Sequence, residues 1–79
     1  MYFVYILQSK KDLSLYVGST ENVKKRFAEH NDGKSKYSNS KRPYTLKWFC
    51  AFATKSQALT FEKYLKQGSG HAFARKHLV

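Results

Sequence analysis

Tyr5 and Tyr16 stand in two short apolar runs, Arg26 and His30 follow four residues apart, and Glu62 is the one acid set against an apolar stripe. Phenol, guanidinium, imidazole and carboxylate are the groups that orient water, hold an anion, pass a proton and bind a divalent cation. Each also has an ordinary reading. Tyrosines in strands are commonly core residues, although a neighbouring cation would favour phenolate and bring the pKa down from roughly 10. Arg26 and His30 could be a solvated basic helix face or a fork on phosphate with an imidazole one turn away. The other four acids are assigned by elimination: Asp12 to a turn, Glu21 to a helix start, Glu29 to an exposed pair with Lys25, and Asp32 to a helix stop. Glu62 could form an i, i+4 pair with Lys66, worth a few tenths of a kcal/mol. It could equally be the single carboxylate of a Mg²⁺ site, since that ion takes one or two carboxylates, water and substrate phosphate. His71 and His77, among Arg75 and Lys76, suit phosphate contacts better than metal ligation. Ser19 and Ser69 have no base at a recognisable spacing, which leaves a serine-type hydrolase with little support.

The elements that must position these groups follow from the pattern. Tyr2 to Leu7 is apolar and aromatic without polar alternation, so it reads as a strand covered on both faces. Ser9 to Asp12 is a polar turn, and Leu13 to Val17 resumes the strand, giving a hairpin. With the turn centred on Lys10-Lys11, Tyr5 lies opposite Tyr16 on one face. Gly18-Ser19-Thr20 is read as the turn ending the second strand, with Gly18 as its structural residue and Ser19 or Thr20 capping a helix. That helix runs to about Asn31 and stops at Asn31-Asp32-Gly33; Val23 and Phe27 face the core. Gly33 to Pro43 is a polar, basic loop expected to be mobile without ligand. Tyr44 to Ala53 is a third strand, with Leu46, Trp48, Cys50 and Phe52 on one face and Lys47, Phe49 and Ala51 on the other. Ser56 is expected to cap a second helix with Ala58, Phe61 and Leu65 as its apolar stripe. Gly68-Ser69-Gly70 should break it before a short basic helix anchored by Phe73 and Leu78. The expected class is α+β: one three-stranded antiparallel sheet packed with helices, in the order β-β-α-β-α plus a short C-terminal helix, as a single domain over residues 1–79.

Composition narrows the partners. Fifteen Lys plus Arg against five Asp plus Glu give a formal net charge of +10, and phosphate neutralisation with counterion release makes nucleic acid the first partner to consider. A basic surface kept for solubility, or one facing anionic lipid, is the alternative. The lone Cys50 excludes an internal disulfide and a cysteine zinc cluster and fits a reducing cytosol. No apolar run approaches the roughly 20 residues of a membrane span, and no signal pattern opens the chain. The expected location is cytoplasmic, with no membrane partner.

Together these residues make the chain resemble the GIY-YIG nuclease domain from end to end. Phe3-Val4-Tyr5 stands where that family has GIY, and Tyr16-Val17-Gly18 where it has YIG. Arg26 falls at the family's helix-1 arginine, His30 at the Tyr/His position one turn on, and Glu62 at its metal-binding glutamate. The closest likeness is to short stand-alone bacterial members, through the Glu62-Lys66 and Gly68-Phe73 patterns; the excinuclease C nuclease domain is more distant. Phe3 replaces the first Gly, Ser19 replaces an excinuclease-type Lys, and the Asn found in some members has no counterpart. The resemblance implies a metal-dependent DNA endonuclease, structure-selective or weakly sequence-specific, serving DNA repair or recombination. Under it Glu62 holds Mg²⁺ (or Mn²⁺), Tyr5 or Tyr16 with His30 orients or deprotonates water, and Arg26 stabilises phosphate charge. Lys24, Lys25, Lys34, Lys36, Arg42, Arg75 and Lys76 track the backbone, with DNA favoured over RNA, and Tyr37 or Tyr44 stacks on unpaired bases. The alternative is a nucleic-acid-binding module that keeps the fold without cutting.

Overall fold

The computed structural model describes residues 1–33 and 39–79. Strand β1 (Tyr2–Ser9) lies between β2 (Leu15–Thr20) and β3 (Tyr44–Phe52), antiparallel to both. Helix α1 (Val23–Asn31) follows β2; α2 (Lys55–Lys66) and α3 (Gly68–Phe73) follow β3, and the chain ends in a π-helical turn, Ala74–Leu78. The expected α+β class and element order are therefore present.

The unbroken apolar run of β1 is explained by its central position. Val4 and Ile6 point to one face, where they meet Val17, Ala58, Leu65 and Ala74. Tyr5 and Leu7 point to the other, where Tyr44 is buried with them and Tyr16, Val23, Phe27 and Leu46 pack around. Thus α1 covers one face, and α2 with the C-terminal helices covers the opposite one. Both faces are needed to make a core in so short a chain.

Local details differ from the sequence expectation, each for a physical reason. The hairpin pairs Tyr5 with Gly18 and Leu7 with Tyr16, a slip of two residues from the expected register. Because side chains alternate with period two, the slip leaves Tyr5 and Tyr16 on one face as diagonal neighbours. Ser19 and Thr20 belong to β2, and Asn22 caps α1, its side chain accepting from the Lys25 amide at 3.0 Å. Glu21 consequently lies before the helix, and Glu29 pairs with Arg26 instead of Lys25. Thr54, not Ser56, caps α2 by accepting from the Gln57 amide at 3.2 Å.

A bulge between Ile6 and Leu7 on the β1–β3 ladder sets Ile6 opposite Trp48 but Leu7 opposite Leu46. One extra residue, Lys47, reverses the alternation. Leu46 therefore joins the α1 side while Trp48 and Phe52 stay on the α2 side. The break between α2 and α3 falls at Gln67, and the glycines begin α3 instead of ending α2. Gly70 is required there because a Cβ would collide with the Tyr64 carbonyl oxygen. Phe73 is 40% exposed, so Ala74 and Leu78 anchor the tail.

The far end of the basic loop is tied down. Asn39–Lys41 forms a 3₁₀ turn, the Ser9 hydroxyl donates to the Lys41 carbonyl at 2.6 Å, and the Lys10 amide donates to the Pro43 carbonyl at 2.9 Å. That end is not the mobile loop expected from composition. Lys34, Lys36 and Tyr37 lie outside the described residues.

Candidate active site

Tyr5 and His30 form the buried floor of the site. Tyr5 is 2% exposed and His30 is fully buried, and the Tyr5 hydroxyl and His30 Nε2 are hydrogen-bonded at 2.9 Å. Helical spacing produces this: His30 lies one turn after Arg26, and the Val23 and Phe27 contacts roll that side of α1 onto the sheet. Tyr16 stacks beside Tyr5 with ring centres 6.5 Å apart and lies 4.6 Å from the His30 ring. Tyr44 closes the group, 6.0 Å from His30 and 6.5 Å from Tyr16. Being 4% exposed, Tyr44 is a wall of this cluster and not a base-stacking surface. Asn31 fixes it through the backbone: Asn31 Oδ1 accepts from the Tyr44 amide at 2.6 Å, and Nδ2 donates to its carbonyl at 3.2 Å.

Gly18 acts as a seat for Tyr5, not as a turn. It lies inside β2 opposite Tyr5, and among described glycines only Gly33 has a positive φ. A Cβ on Gly18 would strike the Tyr5 hydroxyl and lie 2.6 Å from its Cζ. The glycine lets the phenol cross the edge strand toward the helix.

Burial, not the neighbouring cation, governs ionisation here. Burial pushes the Tyr5 phenol up to about 12, assisted by Tyr16, while Arg26 pulls the other way without prevailing. Of the two sequence readings, the core tyrosine holds and the cation-stabilised phenolate does not: Tyr5 is neutral at ordinary pH. Burial, assisted by the Arg26 charge and opposed by Glu29, also lowers His30 to about 4. The imidazole is therefore neutral.

Arg26, whose charge acts on Tyr5 and His30, also lines an open cleft of about 350 Å³ with Tyr2, Ser19, Thr20, Lys25 and Glu29, among others. Arg26 is about one-third exposed, and its Nη1 donates to Glu29 Oε1 at 3.1 Å. Glu62 arrives from α2, the helix on the opposite face of the sheet. Its connection is Ser19, whose hydroxyl donates to Glu62 Oε1 at 2.6 Å across the edge of β2. Lys66 Nζ donates to the other oxygen at 2.6 Å, so the i, i+4 pair expected from spacing is present as well. Glu62 is close enough that its charge contributes to raising Tyr5.

The structure therefore brings Tyr5, Tyr16, Arg26 and His30 into one cluster and sets Glu62 at its rim. Sequence reasoning missed Ser19 as the link, and Asn31 as the clamp on Tyr44. Neither left a local signal, because their partners lie 43 and 13 residues away. Lys24, Lys25 and Arg42 are exposed, and Lys25 lines the cleft. Arg75 and Lys76 belong to the tail on the α2 side, where Arg75 Nε donates to His71 Nε2 at 3.2 Å. Among the described residues no three His, Cys, Asp or Glu side chains gather as a metal cage. One carboxylate suffices for a hard cation that keeps waters and substrate oxygens. Glu62 offers one such carboxylate, its oxygens held by the Ser19 hydroxyl and the Lys66 ammonium.

The fold and this cluster define a nuclease-family domain: residues 1–76 match the GIY-YIG catalytic domain, and the chain belongs to the GIY-YIG family. Within it the chain is similar to short proteins named UPF0213. It is 42% identical over 67 residues to one from Bacillus licheniformis, covering 84% of this chain and 68% of that one. It is 44% identical over 66 residues to one from Staphylococcus haemolyticus, covering 82% and 79%. With a Vibrio campbellii relative, 40% identical, the match spans 81% of this chain but 62% of the relative, less than two thirds of its length. A solution NMR structure of a UPF0213 protein from Bacillus halodurans shares the fold at TM-score 0.57 and 35% identity, covering 95% of this chain and 81% of that one. No helix among the described residues is long and apolar enough to cross a membrane.

Proposed function

We propose that the chain is a metal-dependent endonuclease that hydrolyses phosphodiester bonds in DNA, selecting structure more than sequence, in a setting such as repair or recombination. The observation that carries the reading is the Ser19–Glu62 bond at 2.6 Å, which ties the α2 carboxylate to a residue lining the same cleft as Arg26.

Burial supports a division of labour. Arg26 and Lys25 take the phosphate, Arg26 exchanging its Glu29 partner for the stronger fork on a phosphate oxygen pair. Tyr16, half-buried where Tyr5 and Tyr44 are buried, orients the attacking water. Tyr5 and His30 act behind it as positioning residues, since two neutral, buried groups hold a fixed hydrogen bond better than they trade a proton with solvent. Glu62 would hold the divalent ion, Mg²⁺ or Mn²⁺, with Lys66 leaving Oε2. When bound there, the ion supplies Lewis acidity to the scissile phosphate and charge for the leaving oxygen.

A second reading has its own observation. Glu62 and Arg26 already have partners, and Tyr5 and His30 are closed over, as in a binding module that does not cut. A panel of branched, flapped and single-stranded DNA and RNA, with Mg²⁺ and Mn²⁺, separates the two. Cleavage should appear with DNA and fall at least about a hundredfold in Glu62→Gln, in line with removal of a group that stabilises transition-state charge. Cleavage undiminished in Glu62→Gln refutes the site; binding without cleavage under either metal favours the module.

A further inference from the structure

The sheet face under α1 is only partly covered. Its side chains form three rows across the strands: Tyr16–Leu7–Leu46, Gly18–Tyr5–Phe49 and Thr20–Phe3–Ala51. Helix α1 packs over the first row and over Tyr5. The remainder stays open, and it is aromatic: Phe49 is 52% exposed, and Phe3, half-buried, meets it edge-on with ring centres 6.3 Å apart. Thr20, in the same row as Phe3, lines the cleft that holds Lys25 and Arg26. An exposed phenylalanine and a half-buried partner thus adjoin, through Thr20, a cleft lined by two cations.

The size and charge of this patch decide its occupant. A phenylalanine buries on the order of 150–250 Å², so one half-exposed ring and a half-buried neighbour fall well short of the roughly 800 Å² per partner of a stable protein interface. A chain of net charge +10 favours an anionic ligand. A flat apolar ring beside a phosphate-binding cation matches one nucleotide unit, with the base on the ring and the phosphate on the cation. Bases inside a duplex are already stacked and present no free face.

Resting on the proposed nucleic-acid reading, we infer that Phe3 and Phe49 form a stacking platform for one unpaired base beside the cleft. Substrates with a single-stranded nucleotide next to the contacted phosphate are then preferred over continuous duplex. Phe3 is the residue standing where GIY has its glycine, so the platform is built by a departure from the motif.

The test measures binding of the full chain to a fluorescein-labelled single strand and to the corresponding duplex, in EDTA and at one salt concentration. A 2-aminopurine in the single strand reports stacking. Phe49→Ala should weaken single-strand binding about five- to a hundredfold, leave duplex binding unchanged and abolish the 2-aminopurine response, and Phe49→Trp should restore both the single-strand binding and the response. Lys25→Ala should weaken both forms in equal proportion, as loss of a phosphate contact does. If Phe49→Ala weakens both forms alike or neither, the platform is refuted. If wild type cleaves with Mg²⁺ and Phe49→Ala keeps the wild-type preference, the platform alone falls. If wild type binds neither form, the nucleic-acid reading falls and the platform with it.

Discussion

Gly18→Ala is the sharpest probe of how the site is built. Because Gly18 has no positive φ, alanine there would ordinarily stabilise by about 0.4–1 kcal/mol through reduced chain entropy. The Tyr5 ring reverses the sign. The new methyl lies 2.6 Å from Cζ of a side chain that is 2% exposed, so the ring has nowhere to retreat. Overpacking costs about 1–3 kcal/mol, and losing the Tyr5–His30 bond in a buried site adds about 1–3 kcal/mol. The sum, roughly 2–6 kcal/mol, is a large part of the ~4–12 kcal/mol that 0.05–0.15 kcal/mol per residue allows a chain of this size. At about 4–8 °C per kcal/mol, Tm should fall by ~10 °C or more. Urea unfolding followed by far-UV circular dichroism measures the change, with Tyr5→Leu as the second arm of a double-mutant cycle. In the Tyr5→Leu background Gly18→Ala should become neutral or mildly stabilising. An equal cost in both backgrounds would show that the ring is not the reason for the glycine.

Two further outcomes follow from the same floor. His30 titrates near 4 in the folded chain, below its ordinary 6.5; the unfolded chain therefore binds a proton first as pH drops, and stability falls between pH 6.5 and 4 by up to about 3 kcal/mol. Arg26 and Glu29, the charged neighbours that act on it, and the rings of Tyr5, Tyr16 and Tyr44 all face this imidazole, and His30→Gln should flatten that part of the pH–stability curve. Tyr5, raised to about 12, gives the opposite limb, stability being lost above pH 10. Asn31→Ala removes both bonds to the Tyr44 backbone and should cost about 2 kcal/mol at roughly 1 kcal/mol per bond. A melting curve unchanged in this variant would exclude the clamp.

What could be read from the chain was whatever depends on periodicity. The all-apolar run of β1 announced a strand covered on both faces, and the shared face of Tyr5 and Tyr16 survived a two-residue slip because only parity matters. Cap choice was less legible, since Ser19, Thr20 and Asn22 are all competent caps. Tertiary contacts decide among them: Ser19 is taken by Glu62, and Thr20 is held in the ladder opposite Phe3. The Lys47 bulge adds one residue to an otherwise regular alternation and leaves no mark in composition. The Tyr5 ionisation was left open between a core phenol and a phenolate, because the cation is visible in sequence and the depth of burial is not.

The middle position of β1 also sets an order of events. Its hairpin partner β2 lies a few residues away in sequence, but β3 pairs Tyr2 with Phe52, some fifty residues on. During synthesis the β1–β2 ribbon can close early, while the other edge of β1 waits with its backbone groups and apolar side chains unmatched. Closing that distant pair carries the larger loop-entropy cost, and until then the open edge is a template for another chain. The last element to join the site is α2, with Glu62. The tyrosines, arginine and histidine can therefore be in place while the carboxylate is still absent, and an incompletely made chain has the cradle without the acid.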